Sequence, residues 1–437
     1  MAAKAKFWLL FLCLTFSTSA LAANVSVNCN GATPGTFPSI TAALSSLAPA
    51  GPNVITVRGI CQENVVVGYY QNLTIQSAPG AAAVIENAAN PADIVFQSVG
   101  CRGLVLVNLV IEGGTVGLLV NQASEVVIHN VTVKNNGADG ATVQIGSTLG
   151  VESSQFINNG GNGLTAAAMS NVTLSTAPGE TILFSGNAGA GISVDAAYLQ
   201  VNFGAIRVVH NTGPAMLADN GQLLIFGGST AGEGNVFQGN GGGIDLFDTS
   251  SGRFYGTNII ENNGEIGLLM LNGSSANFFG GPSGASTISG HSGTGVLLID
   301  SSSLTFDGPH VIRGNGSATD TLRSGIAVGH GNLELFNGAT VQGNTGPGVT
   351  ADESSTVNVS WNALIQGNTE DGVRLAIQSN ANFTQPISIV GNGGASIACD
   401  TTSVAYGDFT GIKNVDCSQV AASRLSAAGI KYRPIQH

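Results

Sequence analysis

The sequence predicts an all-β chain wound into a right-handed parallel β-helix solenoid, with a short capping helix at its N-terminal end. Three features predict it. A string of the form G-N-x-G-x-G recurs along most of the 437 residues. Between recurrences lie short runs in which apolar residues alternate, as strands with one buried face require. Outside Ser39 to Leu47, no stretch carries a helical period.

The recurrence sets the coil. The string appears as NNGADGATV (135–143), NNGGNGLTA (158–166), GNAGAGISV (186–194), GNGGGIDLF (239–247), NNGEIGLLM (262–270), GNTGPGV (343–349) and GNTEDGVRL (367–375). The marker residues are Asn136, Asn159, Asn187, Asn211, Asn240, Asn263, His291, Asn315, Asn344, Asn368 and Asn392, spaced by 23, 28, 24, 29, 23, 28, 24, 29, 24 and 24 residues. Such a period means stacked coils, each burying one face against its neighbours. A hexapeptide rhythm and a regular leucine framework are both missing, which excludes the left-handed β-helix and the leucine-rich repeat.

One unit, from Gly191, reads GISV-DAAYLQVNFGAIRVVHNTG, and another, from Gly295, reads GVLLIDSSSLTFDGPHVIRGNG. Each holds three short apolar runs parted by polar turns, hence three strands per coil and a triangular cross-section. The repeated Asn is expected to take the left-handed backbone of a sharp corner and to hydrogen-bond to the Asn stacked above and below, with adjacent glycines sharing that conformation. His291 reads as a tolerated polar substitute in this ladder. The longer spacings place extra residues at 176–180, 229–234, 281–286 and 317–322, all read as loops.

The two ends differ from the middle. Lys4 and Lys6, the apolar run Phe7 to Phe16 and small residues up to Ala23 read as a secretory signal peptide cleaved after Ala22 or Ala23. Residues 24–53 are expected to form an N-terminal cap, where Ser39 would cap a helix that turns Ile40, Ala43, Leu44 and Leu47 to one face. The β-helix is expected over 54–398, with a second cap and tail over 399–437.

Export permits disulfides, and Cys29 with Cys61 and Cys399 with Cys417 would each staple one end of the array. Cys101 reads as a small buried side chain at a coil corner. Without its leader the chain keeps 12 basic residues against 26 acidic ones, which disfavours nucleic acid and anionic membrane surfaces as partners. No run is long and apolar enough to span a bilayer. The expected location is secreted, periplasmic or at the cell surface.

Residues 37–67, FPSITAALSSL…NVITVRGICQENVVV, resemble the first coil of the pectate-lyase-like superfamily of right-handed β-helices, with Gly59-Ile60-Cys61-Gln62-Glu63 standing for a Gly-x-Tyr-x-Glu-like segment. The resemblance implies the fold along nearly the whole chain. It leaves function open, because the superfamily holds polysaccharide lyases, hydrolases, esterases and epimerases beside adhesins and tailspikes. Against the polygalacturonase pattern, Gly329-His330-Gly331 and Asn368-Thr369-Glu370-Asp371 occur in reversed order, and no Asp-Asp or Arg-x-Lys is present. Lys134 is the only lysine in the repeats, so the basic residues that lyases use are sparse.

Aligning Ile244, Leu268, Val296, Ile326, Val349 and Val373 puts Asp248, Asn272, Asp300, His330 and Glu353 in one column at the end of a strand. Asp300, His330 and Glu353 are the catalytic candidates, because two carboxylates two coils apart leave room for the water of an inverting glycosidase. Asp248 and Arg374 are the substrate-binding candidates, the guanidinium for an anionic sugar. The competing structural reading is that DTSSG, NGSSA, DSSSL and DESST make Asx and Ser/Thr turns with their own backbone.

GGGIDLFD (241–248) resembles a calcium-binding nonapeptide but stands alone, so no metal and no cofactor are expected. Eight Asn-x-Ser/Thr sequons follow from the composition. The function expected is an extracellular scaffold, adhesin or glycan-binding surface, with a polysaccharide or cell-surface glycan as partner. The alternative is a polysaccharide-active lyase, hydrolase or epimerase.

Overall fold

The computed structural model describes residues 22–424, except 32, 81, 88–92, 203–204, 229–233, 282–283 and 319–322. Most of the expected leader, parts of the loops at 229–234, 281–286 and 317–322, and the tail after 424 lie outside the described residues.

The chain is a right-handed parallel β-solenoid. Among the described residues its strands form three parallel sheets, sheets 1, 2 and 3, of 17, 14 and 15 strands, and each strand pairs with its equivalent one coil on. One coil illustrates the order: Glu125–His129 lies in sheet 1, Thr132–Lys134 in sheet 2 and Ala141–Val143 in sheet 3. Alternation decides which side chains go inside. In Glu125–His129, Val126 and Ile128 are buried, while Glu125 and His129 face solvent. Like residues therefore stack along the axis: Phe254, Phe278 and Phe306 stand at ring spacings of 4.4 and 4.9 Å, and Phe156 lies on Phe184 at 4.9 Å. Each such ring contributes about 1.5–3 kcal/mol by leaving water.

The asparagine ladder is present at the corner between sheets 2 and 3, with one correction. The marker residues point inward and are buried, Asn392 at the end of the ladder only half so, and the left-handed conformation belongs to the residue before each of them: Asn135, Asn158, Gly186, His210, Gly239, Asn262, Gly290, Gly314, Gly343, Gly367 and Gly391, with φ between 50° and 71°. The turn swings the next side chain into the core, where only a group with two donors and a two-bond acceptor satisfies itself.

Asn187 does so. Its Oδ1 accepts from Asn159 N (3.1 Å) and Nδ2 (3.0 Å), and its own Nδ2 donates to Asn211 Oδ1 (2.8 Å) and Phe156 O (3.1 Å). His291 continues the ladder only in part. Its backbone N donates to Asn315 Oδ1 at 3.2 Å and its Nε2 lies 3.2 Å from Ile260 O, but its buried Nδ1 has no partner.

The other two corners carry ladders too. Between sheets 1 and 2, Asn235 Nδ2 donates to Asn258 Oδ1 (2.9 Å), Asn258 Nδ2 to Ser286 Oγ (3.2 Å), and Ser286 N to His310 Nδ1 (3.0 Å). Between sheets 3 and 1, backbone amides donate to serines one coil on: Ser124 N to Ser147 Oγ (3.2 Å), Ser355 N to Ser379 Oγ (3.1 Å) and Ser379 N to Ser403 Oγ (3.2 Å). Cys101 occupies this serine position, buried and unbridged, with Sγ 3.2 Å from Val67 O.

At the N-terminal end the helix runs Ile40–Ser45 and is capped by Ser39, whose Oγ accepts from Ala42 N at 3.0 Å. Ile40, Ala43 and Leu44 are buried against the first coils. Glu63, from the segment that carries the family resemblance, ties the helix down: its carboxylate accepts from Ile40 N (2.6 Å), Thr41 N (3.0 Å) and Thr41 Oγ1 (2.7 Å). Disulfides join Cys29 to Cys61 and Cys399 to Cys417. Strand pairing continues through Val404–Asp408 to Val420–Arg424 at the far end. No helix among the described residues is long and apolar enough to cross a membrane.

Candidate functional site

Strand register brings the column together as the alignment requires. Ile244 pairs with Leu268, Leu268 with Val296, Val296 with Ile326, Ile326 with Val349 and Val349 with Val373. Asp248, Asn272, Asp300, His330 and Glu353 then occupy one row at the corner between sheets 3 and 1, all exposed and all left-handed, with φ of 47–54°. Backbone bonds link consecutive coils, from Ser301 N to His330 O (2.6 Å) and from His330 N to Asp352 O (3.2 Å).

The column's polar groups also serve the turn. Asn272 Nδ2 donates to Asp248 Oδ1 (2.6 Å), Thr249 Oγ1 to Asp248 O (2.6 Å) and Glu353 N to Asp352 Oδ1 (2.9 Å). Arg374 is committed elsewhere. Its Nε donates to Asp371 Oδ2 at 2.8 Å and its guanidinium pairs with Glu370 Oε2 at 2.7 Å, while Arg323 reaches Glu370 Oε1 at 3.0 Å. The Arg374 guanidinium beside Glu370 holds that carboxyl below its usual range, against an opposing push from burial.

Acids that sequence reasoning passed over lie just N-terminal of the column. Asp195 pairs in register with Asp219, which pairs with Phe247 beside Asp248. Burial first, and then the charges of Asp248 and Asp195, raise the Asp219 carboxyl above its ordinary value. Asp245 points outward between Leu217 and Leu269, and burial pushes it up to about 7. The signal in the sequence was a single Asp set in register between Leu217 on one side and Leu269 and Leu297 on the other.

A second site lies at the asparagine-ladder corner. A shallow trough of about 680 Å³ is lined by Ser289, Arg313, Gln342, Gln366 and Val390 along one side and by Gly290, Gly314, Gly343, Gly367 and Gly391 along its floor. The first five share one outward row of sheet 2, in direct register. Gln366 Nε2 donates to Gln342 Oε1 at 2.9 Å. None of Asp248, Asp300, His330, Glu353 or Arg374 lines this trough.

Residues 59–178 match the family described as the right handed beta helix region. No curated protein sequence matches the chain. Among solved structures, pectate lyase Pel9A aligns over 68% of this chain and 77% of its own at 12% identity and a TM-score of 0.37. A GH136 lacto-N-biosidase from Eubacterium ramulus aligns over 85% and 68% at 10% identity and 0.22. PfbA, a surface adhesin of Streptococcus pneumoniae, aligns over 82% and 86% at 10% identity and 0.20. At these values the likenesses carry no argument about activity. The matched family segment and the three parallel sheets are consistent with the pectate-lyase-like superfamily.

Proposed function

We propose that this chain is an exported, non-catalytic β-helical protein that acts as an extracellular scaffold or adhesin with a glycan-binding flank. The observation that carries this reading is the lining of the trough: on successive coils a hydroxyl, a guanidinium, two amides and a valine beside bare glycine backbone, with no carboxylate or imidazole. Glycoside hydrolysis needs two carboxylates flanking the scissile bond, and proton abstraction needs a positioned base. The trough offers groups for holding a chain of hydroxyls and none for cutting it. Two disulfides and the leader expected at residues 1–23 support export.

The enzyme reading keeps one observation in its favour, the placement of Asp300, His330 and Glu353 on three consecutive coils in register. Incubation with acidic and neutral polysaccharides, followed by reducing-end and unsaturated-product assays, separates the two. Retention without turnover is the expected result. Turnover abolished by Glu353→Gln would overturn the non-catalytic reading. Export is checked by the N-terminus of the mature protein, expected at Ala23 or Asn24.

A further inference from the structure

We infer that the seam between the coils marked by Asn263 and His291 is an acid-sensitive joint, at which the solenoid opens first into two blocks that each stay wound. The inference stands apart from the glycan-binding reading above and holds equally for a catalytic chain.

Two of the three corner ladders fail at this seam. Where the asparagine ladder is intact, a marker gives its backbone N–H and one Nδ2 proton to the Oδ1 one coil on, as Asn240 gives both to Asn263 (3.0 and 2.9 Å) and Asn344 gives both to Asn368 (3.0 Å each). Asn263 gives neither to His291. Its Nδ2 donates back to Phe237 O at 3.0 Å, while His291 offers no Oδ1 and its buried Nδ1 has no partner. The backbone shifts as well: Gly241 N donates to Asn211 O and Gly264 N to Asn240 O, but Ser292 N reaches Gly264 O at 3.3 Å in place of Asn263 O. At the corner between sheets 3 and 1, Ser274 N turns back to Leu271 O at 3.3 Å, and Ser302 Oγ one coil on is buried without a partner. Six buried side-chain atoms are unpartnered among the described residues, and three of them, His291 Nδ1, Thr294 Oγ1 and Ser302 Oγ, belong to this one coil. Such groups are costly to bury, so their clustering marks a weak place.

The third ladder still crosses, and it does so through an imidazole. Ser286 N donates to His310 Nδ1 at 3.0 Å, and His291 Nε2 adds a bond to Ile260 O at 3.2 Å. Beyond these, Ser292 Oγ reaches Gly264 O at 3.4 Å. An Nδ1 that carries a proton cannot accept from Ser286 N. His291 and His310 are both buried, whereas His129, His210 and His330 are exposed.

Burial lowers the pKa of both imidazoles, that of His310 to about 4 against the backbone of Asp307 and Phe278 and the charge of Asp307, and that of His291 against the backbone of Ile260 and Asn263. The other charged groups on the elements around them, Glu261, Glu265 and Arg313 beside His291 and Glu334 beside His310, lie on the outer surface. Once the seam opens, an imidazole titrates near 6.5. Opening therefore takes up protons, is indifferent to pH above about 6.5, and is favoured as pH falls from there toward 4. At pH 4.5 His310 by itself raises the opening constant about fifty-fold over its value at pH 7. Each block then keeps its nearest-neighbour packing and its own disulfide, Cys29 to Cys61 in one and Cys399 to Cys417 in the other.

Hydrogen exchange of the full mature chain at pH 7 and pH 4.5, read segment by segment by mass spectrometry and corrected for the intrinsic rate at each pH, tests the inference. The strands that meet at the seam, Leu268–Met270 and Ser275–Phe279 on one side and Val296–Ile299 and Ser303–Asp307 on the other, are expected to lose protection about fifty-fold or more at pH 4.5. Asn171–Ser175 and Thr356–Ser360, well inside the two blocks, are expected to keep theirs. His291→Asn supplies the missing Oδ1 and should raise protection at the seam at least tenfold at pH 7. His310→Asn should remove most of the acid loss, and His210→Asn, at an exposed position on another coil, should leave the seam unchanged.

Protection lost evenly along the chain, or lost first at another seam, would overturn the joint. Acid loss that persists undiminished in His310→Asn would overturn its trigger, and no gain in His291→Asn would overturn the broken ladder as its cause. Should either variant fail to fold, the comparison of wild-type segments at the two pH values still decides where the chain opens.

Discussion

Lowering the pH should loosen the solenoid at one identifiable place, the corner that holds His310. The imidazole is fully buried between sheets 1 and 2, its Nδ1 accepting from Ser286 N at 3.0 Å and its Nε2 lying 3.3 Å from Asp307 O. Burial is the largest influence and lowers its pKa to about 4, although the carbonyls of Asp307 and Phe278 and the charge of Asp307 oppose it. An unfolded histidine titrates near 6.5. Above that pH both states are neutral and the group contributes nothing to the pH dependence. Below it the unfolded chain binds a proton that the native chain refuses, so stability falls as pH drops from about 6.5 to about 4. A depression of roughly 2.5 units corresponds to about 3 kcal/mol lost by pH 4.

The partner for comparison is His310→Asn. Its Oδ1 can take the Ser286 backbone amide as Asn235 Oδ1 takes that of Ile206 one coil before it, and it does not titrate. Urea denaturation of both proteins at pH 7, 5.5 and 4 gives the measurement, with exchange of the Ser286 amide as a local probe because long repeat arrays need not unfold in one step. All other titrating groups are shared and cancel in the difference. The wild type should lose about 3 kcal/mol more than the variant between pH 7 and pH 4. Equal losses would refute the burial argument, and a gain at low pH would reverse its sign.

Three further outcomes follow from the ladders and corners. Asn187→Ala strands two donors of Asn159 and the carbonyl of Phe156 in a dry interior and should cost about 3–5 kcal/mol, read as a fall in denaturation midpoint; a cost below about 1 kcal/mol would mean water replaces the amide. Glu63→Ala removes the acceptor of Ile40 N, Thr41 N and Thr41 Oγ1, and should cost about 2 kcal/mol, with fast exchange confined to the Ile40 and Thr41 amides. Ile377 is an exposed β-branched residue at φ 46°, so Ile377→Asn should stabilise by about 1 kcal/mol; a lower melting temperature would show that the isoleucine packs better than its backbone suggests.

The coil was legible in the sequence because Asn is costly to bury unless it repeats in register, and eleven marker positions at near-constant spacing have no other simple explanation. The conformational role was misplaced by one residue, since Asn135, Asn158 and Asn262 precede markers that are also Asn and the pair reads alike. The sheet 1–2 ladder was hidden because Asn235, Asn258, Ser286 and His310 share a place and not a residue type. Arg374 read as a free cation because its partners Glu370 and Asp371 sit on the preceding turn, whose geometry brings them back onto it. The trough was hidden for a different reason. Glycine in a turn reads as punctuation, and its meaning as removed volume emerges only when Gly314, Gly343, Gly367 and Gly391 stand above one another. The disulfides were legible because their cysteines flank the array.

The asparagine ladder also has a direction. Where it is unbroken, each Asn gives its backbone N–H and one Nδ2 proton to the Oδ1 of the following coil, returns the other Nδ2 proton to a carbonyl of the coil before, and accepts from that coil, starting where Asn136 Oδ1 accepts from Gly114 N. A wound coil therefore presents its Asn N–H and Nδ2 donors toward the C-terminus, an edge onto which the next coil's Oδ1 fits. A break midway would leave unpaired donors on the coil before it and an unpaired acceptor on the coil after it, so one substitution exposes two cut ends of the ladder.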